Sequence, residues 1–123
     1  VNRDQPRPDR RLLAVGRVRH AAAAMLKESV RGGGQGYAED VGLMARPWPF
    51  ELGEIAVPVE LWHGDLDAVI PIEHARYLAA HLKEATLRIC PGEAHMLMWT
   101  HLPEILADAS ASDPELSARG RTA

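Results

Sequence analysis

Two short apolar segments separated by one amphipathic stretch constrain this chain more than any other feature. Residues 57–71 read VPVELWHGDLDAVIP, and residues 86–95 read TLRICPGEAH. In the first, Val59, Leu61 and Trp62 suit a largely buried strand over residues 58–63, closed by a Gly-Asp turn. In the second, residues 86–90 suit another strand, broken at Pro91 and Gly92. Between them, Pro71 fits the first turn of a helix running to Leu82, with Ile72, Ala75, Leu78, Ala79 and Leu82 on one face. A last helix is expected to begin near Pro103 and to carry Ile105 and Leu106. Strand, helix, strand, helix demands a parallel sheet with a right-handed crossover, so the fold class is α/β. Two parallel strands leave faces and edges that need more sheet beside them, so residues 51–109 read as the end of a larger sheet.

The preceding residues carry no comparable strand. Residues 1–9 hold two prolines and several charges and are expected to form a loose lead-in. Over residues 10–30 the apolar side chains recur at helical spacing, and an alanine run over residues 21–24 favours a single helix there. GGGQG at residues 32–36 ends it. That run has neither the preceding strand nor the following Lys-Ser/Thr of a phosphate-binding loop, so it reads as a helix stop and hinge. Residues 37–44 suggest a short helix. RPWPF at residues 46–50 keeps the chain extended, with Trp48 and Phe50 as apolar anchors. The expected organisation is a helical segment at 1–50, the βαβα unit at 51–109, and a small, polar, frayed tail at 110–123.

With 123 residues, 46% of them apolar and 25% charged, the chain is at most one small folded domain. The net charge of −3 is unevenly spread. Residues 1–31 carry eight Lys/Arg against three Asp/Glu, and the remainder carries the acidic excess. The arginines lie around a helical pattern without interleaved aromatics, which suits a solvated helix face better than a nucleic-acid partner. The single cysteine, Cys90, excludes an internal disulfide and thiolate metal clusters, and its strand suits a small buried side chain. No apolar run reaches the roughly 20 residues of a membrane helix, and no signal peptide opens the sequence, so no membrane partner and a cytoplasmic location are expected. The first residue is Val, which suggests a chain that begins inside a longer reading frame.

In open α/β sheets chemistry gathers beyond the carboxyl ends of the strands. Two loops sit there on strands expected to be neighbours, one with Asp65 and Asp67, the other with His95. A carboxylate beside an imidazole fixes its tautomer and stabilises the imidazolium formed when the ring takes a proton from a nucleophile. One of these carboxylates with His95 therefore reads as two thirds of a Ser-His-Asp triad, the acid and the base. Asp67 could instead cap the following helix, and Asp65 is the competing acid, though an exposed turn suits it better. His63, at the strand end, reads as structural, and His20, His74, His81 and His101 as surface residues. Met96, Met98 and Trp99 read as packing for the last helix, or as the acyl side of a pocket. His63, Asp65, Asp67 and His95 could all ligate a metal, but no His-x-His or His-Glu-x-x-His pair fixes two of them on one element, so no metal is assigned.

Ile55, Pro58, Val59, His63, Gly64, Asp67 and Pro71, followed by Pro91, Gly92 and His95, resemble the closing segments of the α/β-hydrolase superfamily. Members commonly show a strand of the type Ile-x-x-Pro-Val-x-x-x-His-Gly, an acid loop, then Pro-Gly-x-Gly-His. The resemblance covers residues 37–106 and implies the C-terminal fragment of such a fold, preceded by lid-type helices, with Asp67 as triad acid and His95 as general base. It implies a small-molecule substrate of the ester, lactone or related acyl type and no cofactor, and leaves the oligomeric state open. Ala94 stands where the family usually has Gly, which could tighten the loop carrying His95. No Gly-x-Ser-x-Gly elbow is present: Ser29, Ser110, Ser112 and Ser117 are not flanked by glycines. The family order, nucleophile before acid, would put the missing serine before Val1. An aspartate there would instead imply a dehalogenase or epoxide hydrolase, and a non-catalytic hydrolase-like binding module is the alternative of another class.

Overall fold

Helices α1 (Arg7–Ala14), α2 (Gly16–Ser29) and α3 (Gln35–Met44) lead into strand β1 (Val59–Gly64), helix α4 (Ile72–His81), strand β2 (Ala85–Cys90) and helix α5 (Met98–Ser112). This computed structural model describes residues 5–112. The two strands pair in parallel, from Val59 opposite Ala85 to Gly64 opposite Cys90. Helix α4 packs against both strands. Its half-buried or buried positions are Ile72, Ala75, Leu78 and Ala79, with Leu82 just beyond its end, the face that the apolar spacing predicts. An α/β arrangement of helices with a two-stranded parallel sheet is the result.

Several local expectations are corrected. The lead-in over residues 1–9 is partly helical: Pro6 caps α1 and Pro8 lies in its first turn, where a missing N–H breaks no helical bond. The single helix expected over residues 10–30 is two. Val15 is extended, at φ −74° and ψ 115°, and its N–H closes α1 on the Leu12 carbonyl. A β-branched residue followed by Gly16 is a weak point in any helix, and the chain turns there. Helix α5 starts at Met98, not near Pro103, because short-range bonds from Trp99 to Met96 and from Thr100 to Leu97 wind it directly out of the preceding loop. Pro103 then sits inside the helix and lacks the N–H that would reach the Trp99 carbonyl. The tail expected to fray from Ser110 begins helical, and residues 113–123 lie outside the described residues.

Burial is concentrated at the strand ends rather than along the strands. Ala75, Cys90, Ala94 and Leu97 are the buried apolar residues, joined by His63 and Asp9. Val59, Leu61 and Trp62 are only half-buried, against the expectation of a largely buried strand. The cause is topological: among the described residues β1 pairs with β2 alone, so neither strand is enclosed on both sides. Arg88 lies 5.1 Å from the Trp62 ring centroid and bridges to Asp108 of α5 at 2.9 Å, which ties the last helix to the sheet.

Candidate active site

The Gly64–Cys90 register brings the carboxyl ends of both strands level, so the loops that follow leave side by side. They are stitched together by backbone. Asp65 N–H donates to the Cys90 carbonyl at 3.3 Å, and Leu66 N–H donates to the Glu93 carbonyl at 2.9 Å. Gly92 N–H donates to Asp65 Oδ1 at 2.7 Å, within a turn where Gly92 takes φ +76°. A Cβ on Gly64 would lie 2.5 Å from the Glu93 carbonyl oxygen and 2.7 Å from Ala94 N, so only glycine permits this approach. Asp65, the competing acid, is thus the residue that braces one loop against the other.

Asp67 is held deeper, its side chain 5% exposed. Oδ1 accepts N–H bonds from Val69 at 2.8 Å and Ile70 at 3.0 Å, a local turn that fixes the carboxylate. Oδ2 is 3.0 Å from His95 Nδ1. Burial alone raises the carboxyl pKa, but the bonds from Ile70, His95 and Val69, with the attraction of the ring, outweigh it and hold Asp67 below its ordinary value. An ionised carboxylate can only accept, so Nδ1 carries a proton, and in the neutral ring this leaves the lone pair on Nε2. The His95 side chain is 46% exposed. A ring with one nitrogen anchored to a carboxylate and nearly half its surface exposed can act as a general base.

His63 is buried and its Nε2 donates to the Ile70 carbonyl at 3.1 Å, closing the acid loop on the strand that carries it. Ala94, which could have tightened the loop carrying His95, is fully buried, and no residue other than glycine has a positive φ among the described residues. The extra methyl is therefore accommodated without separating His95 from Asp67. Cys90 is buried, and burial together with Glu93 pushes its thiol up, as suits a packing residue.

Other placements differ from expectation. Met98 and Trp99 are exposed, and only Met96 of that group is half-buried. His20, His74 and His81 are exposed, but His101 is not a plain surface residue. Its Nδ1 lies 2.8 Å from Glu104 and its Nε2 3.4 Å from Glu93, which links α5 to the His95 loop. The bond to Glu104 raises its pKa, burial opposes, and Glu93 adds to the rise. Ser29 and Ser110 donate to carbonyls of their own helices. Among the described residues no three His, Cys, Asp or Glu side chains converge as a metal ion requires, and no helix is long and apolar enough to cross a membrane.

One buried contact was not legible in the sequence. Asp9, on α1, is 4% exposed, and its Oδ1 accepts the Met96 N–H at 3.0 Å. A carboxylate in the first turn after two prolines signals a helix start. Nothing local signals a partner 87 positions away. A cleft of about 970 Å³ lies against α4, lined by Met44, Trp48, Phe50, Tyr77 and Leu78 and reaching Ile70 of the acid loop.

No family model matches the chain, and no solved structure matches it. Over 56 residues it is 38% identical to a protein of Synechocystis sp. (strain ATCC 27184 / PCC 6803 / Kazusa) described as "Putative non-heme chloroperoxidase". That stretch is 45% of this chain, and it spans only 20% of the relative's length.

Proposed function

We propose that this chain supplies the acid and base of an α/β-hydrolase that cleaves a small ester, lactone or related acyl substrate. A serine from outside these 123 residues attacks the carbonyl carbon. His95 Nε2 takes the serine proton and returns it to the leaving group, while Asp67 keeps the ring oriented and stabilises the imidazolium. The observation that carries the reading is the 3.0 Å contact between His95 Nδ1 and an Asp67 carboxylate whose other oxygen is pinned by two backbone amides. The partial similarity to a non-heme chloroperoxidase, a name found within the α/β-hydrolases, supports the same superfamily.

The test is turnover of p-nitrophenyl esters by the longest reading frame that contains these residues. Asp67→Asn and His95→Ala are each expected to lower kcat by about a thousand- to ten-thousand-fold. Unchanged kcat in either variant would overturn the assignment. The 123-residue chain by itself is expected to turn over no ester beyond the level of its own His95→Ala variant. The relative's name favours a second reading, chlorination without heme at the same pair. Peroxide-dependent chlorination that is lost in His95→Ala, with no ester cleavage, would select it.

A further inference from the structure

The loop that carries His95 is anchored from three directions, and one of them lies outside the strand–helix unit. Asp65 holds Gly92 N–H, and Leu66 N–H holds the Glu93 carbonyl. Both fix the loop before it reaches His95. Asp9 holds Met96 N–H, the peptide immediately after His95. A carboxylate buried to 4% exposure is costly unless it is paired. Its partner here lies in the turn that winds into α5, where helical N–H groups lack partners of their own and a negative charge is favoured. The His95 side chain is nearly half exposed, so packing does little to restrain it. Its aim is set by the Asp67 contact and by the backbone on either side.

We propose that Asp9 is a positioning residue for His95: by holding Met96 N–H it fixes the His95 backbone so that Nδ1 meets Asp67. Helix α1 then belongs to the acid–base arrangement rather than merely lying beside it. The importance of this role rests on the hydrolase reading, but its test does not require turnover.

The experiment is NMR on the 123-residue chain and its Asp9→Ala and Asp9→Asn variants, reading Met96 amide exchange and the His95 ring nitrogens. In Asp9→Ala, Met96 exchange should accelerate about ten- to hundred-fold, the range expected on losing a hydrogen bond to a charged acceptor. His95 should lose its preference for the Nδ1–H tautomer while β1 and β2 amides keep their protection. Asp9→Asn retains a neutral, weaker acceptor and should fall between the two. If Asp9→Ala does not fold, the same paired change in Asp9→Asn, smaller in size, carries the proposal. A wild-type His95 ring spectrum beside an accelerated Met96 amide, in either variant, would overturn it. Should His95→Ala leave ester turnover intact while Asp9→Ala still alters the ring, the hydrolase reading falls and the positioning role stands.

Discussion

At Asp67 two opposing effects meet, and their balance can be read by titration. Burial favours the neutral acid, while the N–H bonds of Ile70 and Val69 and the His95 ring favour the carboxylate and prevail. The folded pKa thus lies below the unfolded one, so Asp67 stabilises the fold above the ordinary aspartate range near pH 4, and this contribution is lost as pH falls through the folded value. Urea unfolding between about pH 5 and about pH 3 should show stability falling more steeply in the wild type than in Asp67→Asn. Parallel slopes would remove Asp67 from that account. Gly64 makes a steric prediction at the same scale. A methyl there meets backbone atoms of Glu93 and Ala94, which cannot rotate away. Gly64→Ala should cost about 1–3 kcal/mol in denaturant unfolding and part His95 from Asp67. Both residues were legible in the sequence, because each sits in a local motif at a strand end. Asp9 was not, because its burial depends on a contact made by the folded chain alone.

Among the elements, α4 and the two strands follow from local pattern, and the helices around them do so less well. The apolar spacing of α4 marks its packed face, since that face meets both strands. Over residues 10–30 the helical period runs through Val15 unbroken, and periodicity does not register a change in backbone direction. The break leaves Gly16 at the start of α2, with open space around the position of a Cβ. Gly16→Ala should therefore stabilise the chain by about 0.5–1 kcal/mol through the helix and the unfolded state. Destabilisation would mean that the glycine is needed for the turn. Helix α5 offers a pH test. The Glu104 bond, with Glu93 behind it, raises the His101 pKa in the folded chain. Its stabilisation is complete below the ordinary histidine value near pH 6.5 and is lost as pH rises through the folded value. The stability difference between wild type and His101→Gln should shrink as pH rises from about 6 to about 9. A constant difference would contradict the role of His101 in docking α5.

For the whole molecule, the βαβα order was legible because a crossover helix leaves only one arrangement for two such strands. Less legible was how thinly they are covered: Leu61 and Trp62 remain half-buried, and Trp48, Phe50, Val57 and Leu106 are exposed. Among the described residues β1 pairs with β2 alone, and an edge of that kind with this much apolar surface favours association. Sedimentation of the 123-residue chain should show a mass that rises with concentration, and one monomer mass throughout would contradict this. The acid–base pair itself turns on the position of one proton. If Asp67 holds His95 as a base, long-range proton–nitrogen NMR near neutral pH will show the neutral ring protonated at Nδ1 in the wild type and mixed tautomers in Asp67→Asn. A wild-type ring protonated at Nε2, or spectra unchanged by the substitution, would contradict it.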